Sequence, residues 1–168
     1  AQQGAEACLD ALTERDYVGI MTLGNSYTEE IELTPRTQRE KILSAIDLID
    51  DDESNLNGGT IFSASLERAG KALSALSQVE RRHIIIVTDG EPSDGDEYEY
   101  WMEENAKLGI TMSIVGIQCT ASAQALMENV LVKHAGMKKE NFHNVNDIAS
   151  TPEVMREDLQ VPEIKDVN

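Results

Sequence analysis

Several things are scarce in this chain of 168 residues, and each scarcity removes a class of protein. Basic residues are few: 14 Lys and Arg stand against 31 Asp and Glu, a formal net charge of −17. Such a surface repels phosphate backbones and anionic headgroups, so nucleic acid is excluded as a partner. No apolar run approaches the length of a membrane span, so this segment does not insert directly into a bilayer. The two cysteines, Cys8 and Cys119, lie far apart and match no metal-ligand spacing. They read as small buried hydrophobes and leave the compartment undecided. Aromatic residues make up only 4% of the chain, so the core must be aliphatic and alanine-rich. No G-x-x-x-x-G-K-[ST] loop, G-x-S-x-G elbow or Cys/His pairing occurs. The three histidines, on a strand (His83), a helix end (His134) and another strand (His143), are not expected to cluster.

What is present is patterned. Residues 1–15 read as a helix with Ala5, Cys8, Leu9 and Leu12 on one face. Tyr17–Leu23 is an apolar strand. Thr28–Leu33 alternates, the mark of a half-exposed antiparallel edge strand, and Pro35 closes it. Thr37 and Glu40 are spaced as a capping box before a helix carrying Ile42, Leu43, Ile46 and Ile49. The acidic run Asp50, Asp51, Asp52 and Glu53 stops that helix. Gly58-Gly59-Thr60 precedes an amphipathic helix with Phe62, Leu66, Ala69, Leu73 and Leu76; the plain reading is a turn with Thr60 as N-cap. His83–Val87 contains four β-branched residues in a row, the pattern of a strand buried on both faces. It ends in Thr88-Asp89-Gly90, which places the Asp89 carboxylate at the mouth of the sheet, where open α/β folds bind ligands. A helix over 97–108 ends at Gly109, with Ile110 set for a Schellman contact. Thr111–Ile117 is another buried strand, 121–135 a helix closed by Gly136, 141–145 a short strand, and Thr151-Pro152 opens a last helix. Alternating strands and helices specify an α/β fold with a doubly wound, mostly parallel sheet. One domain spans 1–160, followed by a tail over 161–168.

Gly58-Gly59-Thr60 before a helix, then a strand running into Thr88-Asp89-Gly90, resembles the von Willebrand factor type A domain across nearly the whole chain. The phrase from His83 to Gly90 is similar to bacterial members. The resemblance implies a protein-binding module with a metal-ion-dependent adhesion site, part of a larger bacterial protein placed outside the cytoplasm or at the cell surface. It implies Mg²⁺ held by Thr60 and Asp89, with Gly59, Gly90, Glu91, Asp94 and Asp96 at the rim. The implied partner is a protein offering an accessible carboxylate, which completes the coordination sphere while the acidic rim favours basic surroundings. The family's first strand carries Asp-x-Ser-x-Ser, and no such motif occurs in these residues. That strand lies centrally in the family's sheet, between those matching Tyr17–Leu23 and His83–Val87. Without it three ligands are missing, and Mg²⁺ binding by these residues alone is expected to be weak or absent.

Two rival readings rest on the same residues. One is a Mg²⁺-dependent phosphoryl-transfer or hydrolase domain with Asp89 at its active site. The other makes Glu91, Asp94, Asp96, Glu97 and Glu99 a calcium loop. The EF-hand spacing fails there, because Glu and Ser stand where Asp or Asn is required, and a solvated acidic loop explains the cluster better.

Overall fold

The computed structural model describes residues 2–49 and 59–159. The Asp50–Glu53 run, Gly58 and the tail over 161–168 lie outside the described residues. Six helices and five strands follow in the order α1 (Gln2–Ala11), β1 (Tyr17–Leu23), β2 (Tyr27–Pro35), α2 (Arg39–Asp47), α3 (Ser63–Ala75), β3 (His83–Thr88), α4 (Glu97–Lys107), β4 (Thr111–Ile117), α5 (Ala121–Lys133), β5 (Phe142–Val145) and α6 (Thr151–Leu159). The architecture is the α/β fold that the alternation specifies.

Helix ends test the local reading. The Schellman closure of α4 forms as its sequence requires: Gly109 sits at φ +72°. Its N–H donates to Ala106 O at 3.0 Å and Ile110 N–H donates to Asn105 O at 3.0 Å. Gly136 is likewise left-handed, at φ +65°. The Thr37–Glu40 capping box does not form: the residue before α2 is Gln38, without a side-chain cap. Thr60 does not cap α3 either, because that helix starts at Ser63. Its first amides go elsewhere, as described below.

The helices cover two faces. Phe62 and Leu66 of α3, Tyr98 and Met102 of α4, and Met127, Val130 and Leu131 of α5 pack with Ile86, Met112 and Ile114. On the other face Cys8 of α1 and Val154 and Met155 of α6 pack with Ile85, Val87, Val115 and Val145. The alternation Ile84 and Ile86 against Ile85 and Val87 follows from the period-2 strand.

Hydrogen bonding divides the strands into two groups among the described residues. β1 and β2 form an antiparallel pair, Tyr17 opposite Pro35 through Leu23 opposite Tyr27. β3, β4 and β5 form a separate parallel sheet in that order. The same helices nonetheless span both groups. Ala5 and Leu9 of α1 pack with Val18 and Ile20 of β1, while Cys8 reaches β3. On the opposite face Leu23 of β1 packs against the cluster that holds Ile86. β1 and β3 therefore share their covering helices and are not joined to each other. This corrects the expectation for β3. Ile86 and Thr88 are buried, but Ile84, Ile85 and Val87 are only partly covered. Full two-sided burial needs a neighbour on each lateral edge, and among the described residues β3 has only β4.

Candidate functional site

The loop after β3 lies beside the segment that opens α3. Ser93 N–H donates to Thr60 O at 2.8 Å, and a Cβ on Gly59 would collide with the Ser93 side chain. Only glycine permits that approach. The Asp94 carboxylate takes the role the sequence gives to Thr60. Its Oδ2 accepts from Phe62 N–H at 3.0 Å and Ser63 N–H at 2.6 Å. A carboxylate at the positive end of a helix satisfies two amides that would otherwise lack partners. Its other oxygen, Oδ1, is buried and has no hydrogen-bond partner among the described residues. The turn after β1 joins the same edge, since Ile61 N–H donates to Gly24 O at 3.0 Å.

At the end of β3, Thr88 is buried and folds onto its own turn. Its hydroxyl donates to Gly90 O at 3.0 Å and accepts from Gly90 N–H at 3.3 Å. That turn leaves Asp89 exposed at the rim. Burial, followed by the charge of Asp89, raises the Cys119 thiol above its ordinary range, which places Cys119 of the β4–α5 loop near the same carboxylate. The acidic loop also surrounds Tyr98. Burial first, then Glu99, Asp94, Asp96 and Glu91, push its phenol up to about 12.

The predicted site residues thus fall together: Gly59, Thr60, Asp89, Gly90, Glu91, Asp94 and Asp96 all occupy the two loops at the carboxyl-terminal edge of β3. They are not equivalent. Asp94 also holds the start of helix α3 through Oδ2, and Glu99 pairs with His134 at 3.1 Å. The available donors are hydroxyl and carboxylate oxygens, the kind that hard cations such as Mg²⁺ take. They match such an ion in kind and not in number. Among the described residues no group of three or more His, Cys, Asp or Glu could hold a metal.

The opposite end of the sheet holds a cluster that sequence reasoning missed. Asp158 of α6 is 1% exposed and receives His83 Nε2 at 3.0 Å and His143 Nε2 at 3.1 Å. Ser113 Oγ donates to the same carboxylate. Two of the three histidines therefore do cluster, through an aspartate on a helix far along the chain. Only the parallel register, which sets His83 opposite Thr111 and Val115 opposite His143, brings them to one acid. His134 is also more than a dipole partner, because its Nδ1 meets Glu103 at 2.7 Å and ties α5 to α4.

Comparison with known proteins agrees with this geometry. The sequence profile of the von Willebrand factor type A domain matches residues 3–157. No curated protein matches the sequence at a significant level. Among solved structures, the pilus adhesin SpaC of Lactobacillus rhamnosus GG superposes with a TM-score of 0.76 at 10% identity, covering 95% of this chain and 27% of the adhesin. The manganese-loaded TRAP protein of Plasmodium vivax gives 0.71 at 14% identity, covering 94% and 64%. Proximal thread matrix protein 1 from the mussel byssus, with a zinc-occupied MIDAS motif, gives 0.68 at 16% identity, covering 95% and 43%. In each case the chain spans less than two thirds of the other protein. No helix among the described residues is long and apolar enough to cross a membrane. With the profile matched over nearly its whole length and the α/β framework in place, the chain belongs to the von Willebrand factor type A domain family.

Proposed function

We propose that this domain is a metal-dependent protein-binding module of a larger, bacterial protein, and that its site is completed by one further strand between β1 and β3. The observation that carries the proposal is the meeting of the Thr60 and Asp89 loops at the edge of a strand whose other side has no partner among the described residues. A strand carrying Asp-x-Ser-x-Ser in that position would bring three oxygen ligands to the same edge. It would also supply the backbone partners that β1 and β3 lack. Thr60 and Asp89 would then hold a divalent ion, Mg²⁺ by donor type, with Gly59, Gly90, Glu91, Asp94 and Asp96 around it. The ion supplies one thing, a coordination position for a partner's carboxylate. The chain's own residues set the loops, exclude the helix amides from competing through Asp94, and surround the entering group with negative charge. That charge selects partners whose carboxylate is flanked by basic residues.

An adhesin and TRAP among the structural neighbours support binding over catalysis, and the metal-loaded TRAP and mussel structures support a divalent ion. The test uses calorimetry with Mg²⁺ on the 168-residue chain and on a form extended by such a strand. The short chain is expected to show no tight site and the extended form to show one. Asp89→Ala in the extended form should remove it while leaving the fold intact, because Asp89 is exposed at the rim. Sub-micromolar Mg²⁺ affinity in the short chain, or equal partner binding by the extended form in excess chelator, would contradict the proposal.

A further inference from the structure

The His83–Asp158–His143 cluster plays no part in the proposed metal site, since it lies at the other end of β3. Its hydrogen bonds form a directed chain. Thr111 Oγ1 donates to Arg82 O at 3.1 Å, and His83 Nδ1 lies 2.7 Å from the same hydroxyl oxygen. A hydroxyl has one proton to give. With that proton on Arg82 O, Nδ1 must donate, while Nε2 donates to the acceptor-only carboxylate of Asp158. All of these contacts are made at once only when His83 carries protons on both nitrogens. His143 Nε2 must likewise donate to Asp158 Oδ1.

We propose that this cluster is a protonation-dependent latch that fastens α6 to the sheet most tightly when its histidines are charged, and slackens as they lose protons. The groups facing it were taken from every element around it. Thr111 and Ser113 of β4 are neutral. Cys8 of α1 stays a thiol, because burial, and then the charge of Asp158, push it up to about 12. Arg81, before β3, is a cation that donates to Leu159 O at the end of α6. Lys138 and Glu140, which line the cavity outside His143 and Asp158, oppose one another in sign. Arg156 and Glu157 on α6 itself are exposed and also opposite. Imidazole is the side chain whose ordinary pKa lies between pH 5 and 8, and the cluster holds two of them.

Asp158 does not titrate there. Burial would raise it, but the hydrogen bonds from His143, His83 and Ser113 outweigh burial and hold it below the usual carboxylate range. Its contribution is therefore present above the ordinary carboxyl value and is lost only as pH falls through the depressed one. Charged hydrogen bonds are about twice as strong as neutral ones. Slackening α6 would loosen the cover over Ile85 and Val87, the face of β3 that α6 and α1 share.

The test is amide hydrogen exchange on the protein, corrected for intrinsic rates, with α3 as internal reference because it carries no histidine. Protection of α6 relative to α3 is expected to be roughly tenfold greater at about pH 5.5 than at about pH 8. The difference should vanish in the His83→Gln, His143→Gln double variant. If that variant fails to fold, the wild-type ratio and the single His143→Gln variant, at the half-exposed member, suffice: the single variant should lose part of the difference. Equal relative protection at the two pH values, greater protection at the higher one, or an unchanged difference in a folded variant would overturn the latch.

Discussion

Strands β3, HIIIVT, and β4, TMSIVGI, are both rich in β-branched residues and meet different surroundings. In each the apolar residues run without strict polar alternation, the pattern of a strand covered on both faces. In β4, every residue from Met112 to Gly116 is buried, and Ile114 and Val115 are 0% exposed. In β3 only Ile86 and Thr88 reach that state. Both strands contribute to the same two core clusters, and they differ in their lateral neighbours. β4 lies between β3 and β5, whereas among the described residues β3 has β4 on one side and no strand on the other. An apolar run states how much burial a strand is suited to, and the gap between that and the burial found marks a lateral edge that no described strand covers.

Matched truncations sharpen the contrast most. Ile114→Ala should cost about 2–5 kcal/mol, the range for emptying a closed core position. Ile85→Ala should cost about 1 kcal/mol, because part of its surface is already in solvent. Denaturant unfolding of the two variants measures both, and equal costs would break the comparison. In a form carrying the additional strand, the Ile85→Ala cost should rise toward that of Ile114→Ala.

A smaller effect serves as control. A Cβ on Gly70 of α3 would collide with Asn105 of α4, whose amide donates to Leu66 O at 3.0 Å. Gly70→Ala should cost about 1–2 kcal/mol, the crowding partly offset by alanine's helix preference. Because the crowding is between two helices and not at a strand edge, the cost should change less than that of Ile85→Ala when the strand is added. Smaller again is Asp94→Ala, which strips the cap from Phe62 and Ser63 and should lower the unfolding free energy by about 1 kcal/mol. Measured alongside Asp89→Ala, which should leave stability unchanged, it separates the residue that holds the loop from the one offered to a ligand.

The sequence made the element order, the Schellman closure at Gly109-Ile110 and the meeting of the Thr60 and Asp89 loops legible, because each depends on local chemistry or on the direction of the strands. It misassigned the caps. Thr37 and Thr60 have the residue type and spacing, but at α3 a carboxylate more than thirty positions on reaches the amides first, and no periodicity records such a contact. Asp158 was invisible for the same reason: it sits on an amphipathic helix among exposed acids, and only parallel pairing brings His83 and His143 to it. The half-buried state of β3 could not be read from its apolar run, because burial also depends on lateral neighbours that periodicity does not record.

Amide exchange at those edges tests the account most directly. In the 168-residue chain, the β3 amides directed away from β4 and the β1 amides directed away from β2 should exchange freely, while β4 stays protected. Adding a strand with the Asp-x-Ser-x-Ser ligands should bring both sets to the protection of β4. Protection of β3 equal to that of β4 in the chain without the strand would contradict the claim that β1 and β3 await a common partner.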